Sequence, residues 1–126
     1  MARTVIRTDK AAKSPPYYSQ AVKAGGLVFV SGTAPHDPTT GQIVDGPVEA
    51  QVAQCLRNIS AILEAAGSSL DKAVSATLVI AEGQDFAAIN AEWVKWFPAD
   101  PPARQAALLP VKIPGLMISI AMIAEA

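Results

Sequence analysis

Short apolar runs separated by turn residues make up most of this chain, and only two longer segments have helical spacing. The run 27–32 (LVFVSG) is rich in β-branched and aromatic residues, which is typical of a strand. Together with residues 18–23, across the pair Gly25-Gly26, it predicts a hairpin. Further strands are predicted at residues 3–7, 73–81, 103–109 and 116–124.

Two segments carry apolar residues at three- and four-residue spacing, which predicts helices. The first helix ends at Gly67, and its apolar stripe comprises Val48, Val52, Cys55, Leu56, Ile59, Ile62, Leu63 and Ala66. The second follows Asp85, a good capping residue, and its inward-facing positions are Phe86, Ile89, Trp93 and Phe97. Because Cys55 lies on the first stripe, we interpret it as a small core residue rather than a nucleophile.

The order of these elements predicts an α+β domain of about six strands and two helices. The simplest packing places both helices on one face of the sheet and leaves the other face exposed or covered by a partner. Of the 126 residues, 51% are hydrophobic and only 17% are charged, a low charge content for a small protein that covers its own surface. We therefore expect a single domain over residues 1–126 that assembles as a homo-oligomer.

Charge and composition disfavour several classes of function. The net charge is −1, the pI is about 5.7 and the cations are scattered, so we expect no nucleic-acid partner. No apolar run reaches the roughly 18–20 residues of a membrane span and no leader peptide is recognisable, so we expect a cytoplasmic protein without membrane contact. His36 and Cys55 are each alone, which argues against a metal site and a disulfide.

Arg104 is the residue that most directly suggests a ligand. It begins a strongly apolar tail in which the other charged residues from Phe97 onward are Asp100, Lys112 and Glu125. A guanidinium stays ionised and presents a flat fork of donors that suits a carboxylate. The residues alone leave three partners open: an acidic side chain of this chain or of a neighbouring subunit, a backbone carbonyl, or a bound anion.

Several segments, in chain order, resemble the motifs of one known family. They are residues 16–22 (PYYSQAV, against GPYSQAV), 30–35 and 37–41 (VSGTAP and DPTTG, against SGQxPxDPxTG), 54–59 (QCLRNI, against QxxxNI), 85–90 (DFAAIN) and 102–104 (PAR). On these segments the chain is identified as a member of the Rid/YjgF family, the reactive intermediate deaminases, also labelled L-PSP endoribonucleases.

The resemblance implies a chorismate-mutase-like α+β fold and a homotrimer with clefts between neighbouring subunits. It implies hydrolysis of reactive enamines and imines, such as 2-aminoacrylate, to 2-oxo acids and ammonia, with no metal or organic cofactor. The implied cleft residues are Tyr18, Ser31, Gly32, Asn90 and Arg104. Arg104 would bind the substrate carboxylate, and the Tyr18 hydroxyl with the Gln105 amide would hold a water by hydrogen bonding.

The chain departs from the family pattern at the last strand. Members with strong imine deaminase activity carry a glutamate in a pattern like IEIEAIA, and residues 118–124 (ISIAMIA) place Ala121 at that position. An alanine cannot orient or deprotonate water, and Glu125 lies about 13 Å farther along the strand. We therefore expect weak or altered deaminase activity. The alternative is a non-catalytic trimer that binds small carboxylates in the same cleft for sensing or scavenging; ribonuclease activity is disfavoured by the acidic pI.

Overall fold

A computed structural model of the chain describes residues 2–126 and contains one six-stranded mixed sheet with two α-helices. In chain order the elements are β1 (Thr4–Ile6), β2 (Ala21–Ala24), β3 (Leu27–Thr33), α1 (Val48–Ala65), β4 (Ala73–Ile80), α2 (Phe86–Trp96), β5 (Ala103–Leu108) and β6 (Ile118–Glu125). The predicted α+β class is confirmed. Within residues 2–126, neither helix combines the length and apolar content that a membrane span requires.

The strands lie side by side in the order β1-β2-β3-β6-β4-β5. Neighbouring strands are antiparallel except β4 and β5, which run parallel because α2 returns the chain between them. β5 is therefore an edge strand whose one neighbour is β4.

The hydrophobic core lies between the helices and one face of the sheet. The residues of this core from α1 and the strands include Val52, Cys55, Leu56, Ile59, Leu63, Val28, Leu78, Ile118 and Ile120, all fully buried. The strand members alternate in sequence because successive side chains point to opposite faces. Burial raises the pKa of the Cys55 thiol, so it stays protonated, and its interpretation as a core residue is confirmed.

Two sequence predictions need correction. Phe86 does not face the core: it is 47% exposed, whereas the three other residues of its predicted stripe are buried. The reason is its position as the first residue of α2, where Asp85 caps the helix by accepting backbone N–H bonds at 3.0 and 3.2 Å. The predicted strand at 18–23 begins only at Ala21, because a turn precedes it in which the Tyr18 N–H contacts the Pro15 carbonyl at 3.4 Å.

The face of the sheet opposite the helices carries many apolar side chains. Cross-strand pairing aligns Val5, Val22, Phe29 and Ile123 in one row of this face. Phe29 is 43% exposed, so this row is accessible in the single chain. An accessible apolar row of this kind agrees with the prediction of an oligomer, which stays a prediction.

Two buried polar side chains of α1 hold the loops around the sheet. Gln51 donates to the Gly115 carbonyl at 2.7 Å and the Val44 carbonyl at 3.3 Å, and accepts from the Met117 N–H at 2.9 Å. Asn58 donates to the carbonyl of His36 at 2.9 Å and to that of Ala34 at 3.2 Å. These bonds fix the loop after β3 and the segment that leads into β6.

Replacing Gln51 with alanine should lower the free energy of unfolding by about 1–3 kcal/mol, because partly buried backbone groups lose their hydrogen-bond partner. Gln42→Ala is the matched control, since that side chain is exposed, and should change stability by less than about 0.5 kcal/mol. Urea unfolding of both variants at one fixed protein concentration measures the difference. Equal effects of the two substitutions would contradict this account of the loops.

Candidate functional site

Arg104 is placed by the parallel register of β5 on β4. It lies opposite Ala76, which is 1% exposed, so its side chain is on the helix-covered face of the sheet. Because β5 is the edge strand, the side chain is only half-buried, beside α2 rather than beneath it. The sequence thus places an ionised group at the margin of the core, where it reaches solvent.

Two aromatic rings of α2 flank the Arg104 guanidinium. Its central carbon is 5.4 Å from the centroid of Phe86 and 5.3 Å from that of Trp93, distances at which a cation is attracted to a ring face. Phe86 and Trp93 are seven residues apart, about two helical turns, and therefore point the same way. Phe86, at the exposed start of α2, thus contacts Arg104 rather than the core.

The Arg104 guanidinium has no hydrogen bond or ion pair to another residue within 2–126. The ion pair seen in this part of the chain joins Lys95 to Glu92 at 3.3 Å. Asp100 and Glu125, the acidic residues of the apolar tail, do not reach Arg104 in the single chain. Its N–H donors are therefore free for a planar anion, while an acidic residue of another subunit stays an open alternative.

Asn90 lies on the same side of α2 as the two rings, four residues after Phe86 and three before Trp93. Its Oδ1 is shielded from solvent, and it is the one buried side-chain nitrogen or oxygen in residues 2–126 without a hydrogen-bond partner. A buried acceptor without a partner in the chain is costly, so it favours a donor from a ligand, a water or a neighbouring subunit at this position. We call Arg104 and the three α2 residues on this side of the helix, Phe86, Asn90 and Trp93, the arginine group.

Tyr18, Ser31 and Gly32 form a second group, which we call the tyrosine group. They line one cavity of about 210 Å³ at the irregular end of β3. The Ser31 hydroxyl donates to the Ser19 carbonyl at 2.6 Å, so it holds the chain next to Tyr18. A side chain at Gly32 would place its Cβ 3.3 Å from the Ser119 hydroxyl, so the close approach of β3 and β6 favours glycine.

Tyr18 acts as a hydrogen-bond donor near neutral pH. Burial of its ring, followed by the neighbouring phenol of Tyr17, raises the pKa of Tyr18 above its ordinary value. The two rings meet edge to face with centroids 5.7 Å apart. A phenol that keeps its proton donates to water or a carboxylate but does not serve as a general base.

The single chain keeps the two groups apart. β6 and β4 lie between β3 and β5, so Ser31 and Arg104 are on strands about 14 Å apart at the usual strand spacing. They also differ in face: Ser31 alternates with the buried Val30, while Arg104 pairs with the buried Ala76. The predicted site residues are thus brought into two clusters rather than one.

Gln105 and Ala121 lie together on the uncovered face. Both are opposite Thr77, one on each side of β4, and the Gln105 amide donates to the Thr77 hydroxyl at 3.1 Å. Arg104 lies on the other face, so within one chain it does not meet the side chain at position 121. Glu125 pairs with Leu27 at the far end of β6 and does not substitute for the missing carboxylate.

Sequence reasoning missed the contacts that complete these clusters. Phe86 and Trp93 were assigned to packing and not to Arg104, although their seven-residue spacing was the available signal. Thr77, which binds Gln105, and Ser119, which faces Gly32, gave no signal, because cross-strand neighbours depend on the order of the strands.

Comparisons with known proteins agree with the fold and the motifs. The family model described as endoribonuclease L-PSP matches residues 8–126. A RutC family protein of Pyrococcus abyssi is 44% identical over 106 residues, covering 84% of each chain. The chloroplastic Reactive Intermediate Deaminase A of Arabidopsis thaliana is 41% identical over 86% of this chain and 60% of its own length. The 2-iminobutanoate/2-iminopropanoate deaminase of Capra hircus is 39% identical over 84% of this chain and 77% of its own.

Solved structures give the same result. The chain resembles RidA from the Antarctic bacterium Psychrobacter sp. PAMC 21119 with a TM-score of 0.90, 36% identity and coverage of 98% and 99% of the two chains. It resembles Escherichia coli TdcF with bound serine with a TM-score of 0.89, 32% identity and coverage of 98% of both. The match over nearly the whole chain, in sequence and in fold, shows that this protein belongs to the Rid/YjgF family of reactive intermediate deaminases, the L-PSP family.

Proposed function

We propose that this chain, as one domain over residues 1–126, hydrolyses small reactive imino acids of the 2-aminoacrylate type to 2-oxo acids and ammonia. The observation that carries the proposal is the Arg104 guanidinium, positioned by Phe86 and Trp93 yet free of any acidic partner within 2–126. The deaminases among its relatives support the same reaction class.

The proposed site forms between copies of the chain in a homotrimer. The arginine group of one copy would face the tyrosine group of its neighbour, since the strands that carry them are about 14 Å apart in one chain. The accessible apolar row of the sheet, with Phe29 43% exposed, supplies surface for such an assembly. Each copy would contribute its arginine group to one site and its tyrosine group to another.

Hydrolysis needs an anchored substrate, a positioned water and a route for protons. Arg104 binds the carboxylate through two parallel N–H bonds and so fixes the position of the imine carbon. The water oxygen adds to that carbon and one water proton moves to the nitrogen, which gives a carbinolamine. The hydroxyl proton then moves to the nitrogen, the carbonyl forms, and cleavage of the C–N bond releases ammonia. The protonated Tyr18 phenol and the Gln105 amide, both from the neighbouring copy, orient water by hydrogen bonding, but neither removes its proton at neutral pH.

Ala121 sets the expected level of activity. Its methyl group lies in the row with Thr77 and Gln105, and a carboxylate there would be the general base of this face. General acid–base groups typically contribute about 10²- to 10⁴-fold to a rate. We therefore propose slow turnover, supported by substrate positioning and by the electrophilicity of the imine itself.

A second candidate function is favoured by the same alanine. The chain would then bind small carboxylates at Arg104 without turning them over, as a sensor or scavenger. The related TdcF of Escherichia coli was solved with serine bound, so a member of this fold holds a small carboxylate-bearing molecule. Binding of 2-oxo acids without release of ammonia from imines would favour this function.

Replacing Arg104 with alanine should lower kcat/KM for freshly generated 2-aminoacrylate by about 10- to 100-fold, the loss expected for a charge-assisted bidentate contact. Lys112→Ala removes an equal charge from an exposed loop and serves as the control. The rate of 2-oxo acid formation measures both variants. If the wild-type protein and buffer alone release the oxo acid equally fast, the enzymatic proposal is wrong.

Replacing Ala121 with glutamate should raise kcat for the same imine at least about tenfold, because it supplies the missing carboxylate beside Gln105. Ala65→Glu adds the same charge at the exposed end of α1 and should leave kcat unchanged. Steady-state kinetics at pH 7 compares the two. An unchanged kcat in an Ala121→Glu variant of normal oligomeric state would show that position 121 does not limit the reaction.

A further inference from the structure

A second pair of arginines lies beside the tyrosine group. Arg3 and Arg7 lie immediately before and after β1, each two residues from Val5, and Val5 pairs with Val22 on the uncovered face of the sheet. Both arginines share a cavity with Val22 and Ser31, so they lie on the side of the sheet that carries Phe29. They line one cavity of about 550 Å³ together with Tyr17, Tyr18 and Ser31.

This cavity adjoins the one formed by the tyrosine group. Tyr18 and Ser31 line both cavities, so the larger one extends the smaller one of about 210 Å³ toward the sheet edge. A ligand whose reacting end lies beside Tyr18 therefore has room to continue toward Arg3 and Arg7.

The walls of the two cavities carry cations and no carboxylate. Arg3 and Arg7 line the larger cavity and Lys13 the smaller, whereas neither lining includes an aspartate or glutamate. Asp9 lies nearby, in a neighbouring cavity shared with Arg7 and Lys13, but forms no ion pair with either. The hydroxyls of Tyr18 and Ser14 add neutral hydrogen-bond donors to this surface. Such a surface attracts an anion.

We infer that the preferred substrates of the proposed site carry a second anionic group, and that 2-imino dicarboxylates are better substrates than simple imino monocarboxylates. The inference rests on the proposed pairing of the arginine and tyrosine groups across subunits. Arg104 would bind the carboxylate next to the imine carbon, and Arg3 with Arg7 would bind the distal carboxylate. A monocarboxylate such as 2-aminoacrylate engages Arg104 and leaves the second pair of arginines empty.

The reaction stays the same for such a substrate. Water adds to the imine carbon, the C–N bond breaks and ammonia leaves, while the distal carboxylate takes no part in bond making. Arg3 and Arg7 are therefore specificity-determining residues, and their effect is on the affinity for one class of substrate.

The test compares ligands with one and two carboxylates. Calorimetry at low ionic strength gives the dissociation constants of 2-oxobutanoate and 2-oxoglutarate, and kcat/KM is measured for 2-iminobutanoate and for 2-iminosuccinate made by oxidation of aspartate. The wild-type protein should favour the dicarboxylate about five- to tenfold, the effect expected of two exposed charge contacts. In the double variant Arg3→Gln/Arg7→Gln this ratio should fall to about one.

The double variant Lys72→Gln/Lys112→Gln removes the same total charge at exposed positions away from both cavities and should keep the ratio. Equal affinity for both ligand classes, or a preference that survives in the Arg3→Gln/Arg7→Gln variant, would overturn the inference. A stronger preference for 3-phosphohydroxypyruvate than for 2-oxoglutarate would also overturn it, since the second anion would then be a phosphate.

The outcomes separate this inference from the proposed function. Hydrolysis of 2-iminobutanoate without a preference for dicarboxylates would support the enzymatic proposal and contradict the inference. A dicarboxylate preference in binding, without hydrolysis of either imine, supports the inference and contradicts the enzymatic proposal.

Discussion

The parallel pairing of β5 with β4 is the constraint on which the site depends. It sets Arg104 opposite the buried Ala76 and so turns the guanidinium toward α2, where Phe86 and Trp93 flank it at 5.4 and 5.3 Å. A shift of one residue in this register would place Arg104 on the uncovered face and bury Gln105 in its stead. The edge position of β5 keeps the guanidinium within reach of solvent. The pairing of β5 with β4 therefore sets both the orientation of the Arg104 side chain and its access to ligands.

The strand order and this register divide the functional side chains between the two faces of the sheet. Arg104 lies on β5 beside α2, which carries Asn90, whereas Tyr18, Ser31 and Gly32 line a cavity at the end of β3. Each chain therefore carries two separate parts of the proposed site. The exposed apolar row that includes Phe29 favours association with another copy, which would bring these parts together. Folding, assembly and ligand binding are thus linked through the strand order.

The sequence predicted the local elements well, because they follow from periodicity and from capping and turn residues. Both helices, all six strands and the core position of Cys55 were found, and the apolar tail pointed to Arg104 as a charge without a local partner. The strand order, the parallel edge strand and the opposite facing of Arg104 and Ala121 were not predicted, because they depend on contacts between distant segments. Phe86 was predicted wrongly for a related reason: periodicity gives the side of a helix but not which neighbour lies against its first turn.

A crystal structure of the assembled protein with 2-oxobutanoate tests the central claim most directly. The carboxylate should accept two N–H bonds from Arg104 of one copy, with Tyr18 of a neighbouring copy within hydrogen-bond distance of the ligand or its water. An Arg104 guanidinium paired with an aspartate or glutamate of the neighbouring copy, with the ligand elsewhere, would contradict it.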